Sequence, residues 1–591
     1  MTAAASRTAG GMPPKGDRHD LAASGLASGV TSGVTPGVTS GLASGVTSGA
    51  APWAALWTVL PHLPALLETW RGRSVGEVAG QFSAPGAAPA PSRALIDAMA
   101  DLAAASMGHG TARALRRRLE RTPSVLSANH HAIECFPELA QAVHFFGLAE
   151  LLAGSGESPE SAGMGAAGQR GKTDTPHSTP KAGEPTQVIP VLSCTTVSLQ
   201  SQVYPRGLML SRRVARDGHM VRLPLFPAAQ QDTMVGAAPP LTAAGVAAMR
   251  RRWGQVGLAP WEREAANALV DAHVDRAEVY DLPTFTAQVG HINASLCRAR
   301  FSDTPDVAVA YVGLETLAAR LLERDLADPG SPVSALLFDG ALRHGLLEEL
   351  AGARACWERD VFDGGTASLP RTGRTGTAFF WWVDDAGRRC PLRCARDGAG
   401  MALVRDGVRI PLEPQAITDE LGRGRIVPGL FCSYATLVAG HGLRCHGGIF
   451  FAAYLPVMLA AVGRVLGRTG NAARGGEAGG GACADGFAGF TEGSAGAGGA
   501  GLLAALPLTV LFDAGRGPRR VAGAVEMFAA GGLARRHLEH LAGLPMDAVL
   551  PVSLRECYME CVPQDARAPG WAKRLATPMD ESAGVVLSLS R

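Results

Sequence analysis

Three groups of side chains in this sequence have the types and spacing to do chemistry. The first is Asn129-His130-His131, with Glu134 close behind. An imidazole has an unperturbed pKa near ~6.5 and exchanges a proton at neutral pH, so His130 or His131 suits a general base or a donor to an anion. Glu134 completes this candidate catalytic set. The plain alternative is that Asn129 caps the chain locally and the histidines are satisfied structural residues.

The second group is Tyr204-Pro205-Arg206-Gly207, preceded by Ser198 and Gln200. An arginine in a Pro-Arg-Gly loop has a restrained backbone and a forked donor suited to carboxylate or phosphate, although a simple turn explains the Pro and Gly equally well. The third is Gly442-Leu443-Arg444-Cys445-His446-Gly447-Gly448, with Cys432 and His441 upstream. Gly447 and Gly448 permit close approach of a ligand to backbone N–H groups. Cys445 between Arg444 and His446 is a candidate for a lowered thiol pKa. A structural turn is the expected form of this segment. As zinc ligands, Cys432, His441, Cys445 and His446 match no common spacing.

Other clusters lose their appeal on inspection. Cys390 and Cys394, like Cys557 and Cys561, have three intervening residues, not the two of a zinc knuckle or redox pair. His537 and His540 read as an exposed charged helix face, and Asp271, His273 and Asp275 alternate so that a helix separates them. The arginines of Ala112 to Arg121 read as a solvated helix face. Phe379, Phe380, Trp381 and Trp382 in a hairpin put two rings on each face, so at least two belong to ordinary core. There is no Walker-type loop and no G-x-S-x-G elbow where it would count.

The elements that must position the first group are legible. Ser124 to Ser127 is a short apolar run followed by the histidine block, and a helix opens at Pro137 with Glu138 in its first turn. Val188 to Leu192 is a second apolar run, ending in Ser193-Cys194-Thr195-Thr196-Val197-Ser198. Strand, polar loop, helix, strand is the βαβ pattern and implies a parallel pair. Its carboxyl ends would set residues 129–134 beside Thr195, Thr196 and Ser198, where open α/β sheets bind ligands. This order of elements, over under a fifth of the chain, is similar to that of Rossmann-type nucleotide-dependent ligases and transferases, without their glycine fingerprint. Downstream, 241–301 and 305–361 read as helix-rich. Ala378 to Val383 with Arg388 to Leu392, and Met401 to Arg405 with Val408 to Leu412, read as two hairpins.

Composition bounds the rest. With 591 residues, 47% hydrophobic and 18% charged, the chain has enough apolar surface for a large core and, at ~100–200 residues per domain, room for several units. Its 55 Lys and Arg against 53 Asp and Glu argue against a dedicated nucleic-acid binder. Eleven cysteines are too dilute for a disulfide scaffold, the first twenty residues lack a secretory apolar region, and a cytoplasmic location is expected. The apolar run 447–466 contains Pro456 and Arg464 and reads as a buried helix, not a membrane span.

The expected division is a low-complexity tail (1–50), a helical region leading into the first half of an α/β core (51–153), an insertion (154–186), and the second part of the core with a helical region (187–375). A β-hairpin and helix region (376–469), a Gly-rich insertion (470–501) and a mixed carboxyl-terminal region (502–591) follow. The expected fold is thus α/β, with a Rossmann-like parallel sheet, helical segments and added antiparallel hairpins. The expected function is binding of a small anionic molecule or nucleotide by an enzyme of group transfer or ligation. In that reading Asn129, Thr195, Thr196, Ser198, Tyr204, Arg206, Arg444, Cys445, His446, Gly447 and Gly448 bind substrate. The alternative is a non-catalytic scaffold whose inserts recruit partners. No cofactor, metal or oligomeric state follows from the sequence.

Overall fold

The computed structural model describes residues 50–82, 90–128, 131–133, 137–154, 185–201, 205–211, 220–301, 303, 307–351, 377, 379–397, 400–448, 451–473, 509–575 and 579–589. The expected tail and nearly all of both insertions lie outside them.

The centre is a four-stranded sheet of β1 (Ser124–Ala128), β2 (Gln187–Ser193), β3 (Val307–Gly313) and β4 (Arg444–Gly447), in the order β4-β1-β2-β3. Every ladder in it is parallel: Leu126 pairs with Val191, Val188 with Ala308, and Ser127 with Gly447. The expected neighbours β1 and β2 are therefore side by side. Their ladder begins at Leu126 and Val191, just past Pro190, which has no N–H to offer it.

A parallel sheet is covered on both faces, so its strands must be apolar on both sides. Leu126, Ile189, Val191 and Tyr311 enter one core with α3 (Pro137–Gly154) and α4 (Phe285–Arg300). Val125, Leu192, Ala310 and Cys445 enter the other. That second core is completed by α1 (Arg93–Met107), α2 (His109–Arg121), α5 (Leu314–Asp325) and α6 (Phe451–Ala473). Each fully buried Val, Leu, Ile or Phe contributes roughly 1.5–3 kcal/mol, which makes these two layers the main source of stability.

Smaller sheets surround this body. Gly207–Ser211 and Met220–Pro224 form an antiparallel ribbon. Both expected hairpins are present: Phe380–Val383 with Arg389–Pro391, and Gly400–Arg405 with Val408–Pro411. Gly387 and Gly407 take φ of 70° and 72° in their turns, the left-handed region glycine tolerates best. Phe379 and Phe380 are buried while Trp381 and Trp382 are half-buried, so two of the four rings are core as expected, but the division falls between consecutive residues and not by alternation.

Several expectations are corrected. The 305–361 stretch is not helical at its start, because VAVAYVG is strand β3, buried throughout. The 442–448 segment is not a turn: Arg444–Gly447 is strand β4, held against β1. The arginine run is not uniformly solvated, since Arg118 is buried and its Nε lies 2.6 Å from Glu150 Oε1. Among the described residues, no helix is long and apolar enough to cross a membrane.

Candidate functional site

From β1 the chain passes to β2 and then β3 on one side, and returns much later to add β4 on the other side of β1. The helix after β1, α3, packs on one face; the helix after β4, α6, packs on the opposite face. Neighbouring parallel strands whose following helices diverge in this way define a topological switch point, the usual ligand position in open α/β sheets. Gly447 stands there opposite Ser127. A Cβ on Gly447 would come within 2.4 Å of the Phe451 ring, so only glycine permits the tight passage from β4 into α6. Ser127 Oγ lies 2.5 Å from the Tyr434 hydroxyl, and burial keeps that phenol protonated by raising its pKa. Asn129 and His130 follow β1 in sequence; with Glu134 and Tyr204 they lie outside the described residues.

His131 is held on three sides. Its backbone N–H donates to the Cys194 carbonyl at 2.8 Å, Nδ1 lies 2.6 Å from Ser193 Oγ, and Nε2 lies 3.0 Å from the Thr286 carbonyl. A carbonyl only accepts, so Nε2 carries the proton and Nδ1 accepts from the Ser193 hydroxyl. The ring packs on Tyr311 with centroids 5.2 Å apart. Burial pushes its pKa down to about 4, which keeps the imidazole neutral at pH 7. Its place at the carboxyl ends of β1 and β2 agrees with the sequence reading, but both ring nitrogens are already engaged within the protein.

Thr195 and Thr196 meet a residue that the sequence did not single out. Glu315, in the first turn of α5, is 2% exposed and accepts from the Thr195 N–H at 2.6 Å, the Thr195 hydroxyl at 2.8 Å and the Thr196 hydroxyl at 2.8 Å. Cys194 Sγ lies 2.9 Å from the same carboxylate. Burial and that carboxylate together push the Cys194 thiol up, away from reactivity. A carboxylate at the start of a helix is stabilised by the helix dipole as well as by its donors. The donors expected to hold a guest anion thus hold an anion of the chain itself. In sequence, Glu315 looks like any acidic residue opening an amphipathic helix, and only its place beside Thr195 across the sheet distinguishes it.

The remaining candidates are spread out. Gly448 follows Gly447 at the sheet edge, but Arg444, Cys445 and His446 run back along β4 away from it. Cys445 is fully buried, and burial raises its thiol pKa, which corrects the expectation of a lowered one. His446 Nε2 bonds to Ser124 Oγ, and its ring meets Phe82 and Phe146 edge-on. Arg206 leads into the Gly207–Ser211 ribbon, its N–H donating to Leu199 and its carbonyl accepting from Leu225 at 2.7 Å. Ser198 bridges to Met234.

Among the described residues, no group of three or more His, Cys, Asp or Glu could hold a metal ion. His537 Nδ1 accepts from the Ala534 N–H, and His273 Nδ1 lies 2.8 Å from Ser295 Oγ, so both serve local structure. Compared with protein-family models, curated proteins and solved structures, the chain matches none.

Proposed function

We propose that the protein is a cytoplasmic α/β enzyme, Rossmann-like in the winding of its sheet, that binds a small anionic molecule or nucleotide at the carboxyl ends of β1 and β4 and transfers or joins a group there. The observation that carries this reading is the strand order β4-β1-β2-β3 with α3 and α6 on opposite faces. Two helices that begin beyond adjacent carboxyl ends bring partial positive charge to that point. Gly448 lets a ligand reach the backbone there, whereas the Phe451 ring fills the space beside Gly447. In this proposal Asn129 and His130 contact the ligand, while His131 positions the loop after β1. Arg206 and Tyr204 remain candidates for an anion clamp.

The engagement of both His131 nitrogens favours a second reading, a binding protein without catalysis. A thermal-shift series with nucleotides, phosphorylated metabolites and carboxylates tests the binding claim. A ligand at about 100 times its Kd stabilises the folded state by ~2.7 kcal/mol, and Gly448→Val should abolish the response while leaving the unliganded protein folded. A wild-type protein that responds to none of these ligands, or a Gly448→Val protein that responds equally, removes the proposal. Loss of turnover in His130→Ala with binding retained separates the enzyme from the binding protein.

A further inference from the structure

A different constellation lies before the amino end of β4. Ser92 is the N-cap of α1, and its Oγ accepts the Leu95 N–H at 3.1 Å. The same oxygen lies 2.5 Å from Nδ1 of His441, whose Nε2 lies 2.9 Å from Oδ2 of Asp325. His441 and Asp325 are 6% and 8% exposed, while Ser92 is half-buried, so the array runs from an enclosed carboxylate to a hydroxyl within reach of solvent. The carboxylate accepts from Nε2–H, which leaves the Nδ1 lone pair directed at the Ser92 hydroxyl.

The backbone fixes this order. Asp325 is the last residue of α5, and His441 follows the π-helical turn Ala435–Gly440, a form concentrated at functional sites. The Ser92 N–H donates to the His441 carbonyl at 3.0 Å, which ties the two residues together a second time. A helix cap needs only the Leu95 contact. The imidazole and carboxylate behind the hydroxyl are additional, and their sequence of roles is that of an activated serine, with the two ring nitrogens exchanged relative to the common arrangement.

We propose that Ser92, His441 and Asp325 form a hydrolytic triad acting on carboxylic esters, a function separate from ligand binding at the sheet edge. Ser92 Oγ attacks the ester carbonyl carbon as its proton passes to His441 Nδ1, and the carbonyl electron pair moves onto oxygen. That oxyanion meets the first-turn N–H groups of the 15-residue helix α1, at Arg93 and Ala94, which have no intrahelical partner. Collapse breaks the bond to the alcohol oxygen, which leaves with the proton from His441. Water then attacks the acyl-Ser92 ester, giving its proton to His441 and releasing the carboxylic acid as Oγ is reprotonated. Asp325 orients the ring and stabilises the transient imidazolium. Cys432, beside this acid, is no rival nucleophile, because burial and the Asp325 charge raise its thiol pKa.

The test uses the full chain, p-nitrophenyl acetate and a fluorophosphonate probe with mass spectrometry of the adduct. The expected result is a covalent adduct on Ser92 in the wild-type protein, and hydrolysis that falls by ~100-fold or more in Ser92→Asp and His441→Gln. Ser92→Asp keeps a side-chain oxygen at the N-cap and should keep the melting temperature, so its loss of activity is not a loss of fold. Absence of an adduct at Ser92 in folded wild-type protein overturns the proposal, as does hydrolysis undiminished in Ser92→Asp. The adduct measurement decides the matter even if His441→Gln fails to fold.

Discussion

Glu315 takes both hydrogen bonds that Thr195 can donate, one from its backbone N–H at 2.6 Å and one from its hydroxyl at 2.8 Å. The connection after β2 is thereby pinned to the start of α5. Gly313, just before α5, fits against the same threonine: a Cβ there would come within 2.9 Å of Thr195 Cγ2.

Glu315→Ala should therefore be among the most destabilising single substitutions in the chain. It strands the Thr195 N–H and two hydroxyls in a buried site, at a cost of roughly 1–3 kcal/mol for each donor left unsatisfied. A fall of several degrees in melting temperature is expected, with a smaller fall for Glu315→Gln, which retains one acceptor oxygen. Equal melting temperatures for Glu315→Ala and wild type would contradict the account.

Acid should weaken the fold through His131 and His273. Burial lowers the pKa of each to about 4, against an ordinary 6.5, so the unfolded chain binds more protons between those values. Stability is then fully present above about pH 6.5 and declines as pH falls toward 4, by up to roughly 1 kcal/mol per pH unit for the fully enclosed His131. Melting temperatures at pH 7.5, 6 and 5 should show the decline, and His131→Gln should make it shallower. The same slope in both proteins would remove His131 from the explanation.

The buried pair of Arg118 on α2 and Glu150 on α3 joins helices from opposite faces of the sheet. Arg118 also donates to the Thr122 carbonyl just before β1. Arg118→Met removes that guanidinium from beside the enclosed carboxylate and should cost about 3–5 kcal/mol. Adding Glu150→Leu should recover part of that loss, because an apolar pair of similar volume avoids the desolvation of both charges. Denaturant midpoints of the two single variants and the double variant measure the coupling; strictly additive losses would show that the pair is not coupled.

Thiol reactivity should follow enclosure. Cys194, Cys432 and Cys445 are buried and have raised pKa values, whereas Cys390 is half-buried on a hairpin. Brief iodoacetamide treatment of native protein at pH 7.5 should alkylate Cys390 well before these three, as peptide mass spectrometry would show. Early modification of Cys445 would restore its candidacy as a reactive group.

How far the sequence could be read depended on how local each signal was. The runs SVLS and VIPVL were legible as neighbouring strands because each is apolar and bounded by polar loops, with a helix between them. The hairpins carried their own turn residues in Asp384 to Gly387 and Asp406-Gly407. Strand β3 was concealed between two helical stretches, since VAVAYVG suits a buried helix as well as a buried strand. Strand β4 was concealed by its polarity: Arg444 and His446 do not look like core, and Ser124, Phe82 and Phe146 arrive from elsewhere in the chain to accommodate His446. Glu315 and the Ser92, His441 and Asp325 array were illegible for the same reason. His441 stood out within a Cys/His-rich stretch, but nothing in the spacing tied it to an acid 116 residues earlier or to a serine 349 residues earlier.

The contact of Ser124 with His446 spans 322 positions of chain. Domains form from the amino terminus onward as a polypeptide leaves the ribosome. The flank of β1 that β4 will occupy must therefore wait bare, its amide groups open to stray strands, while most of the polypeptide is still being made. A nascent chain halted between Ala128 and Arg444 would carry that bare flank indefinitely and should need a chaperone to stay out of aggregates.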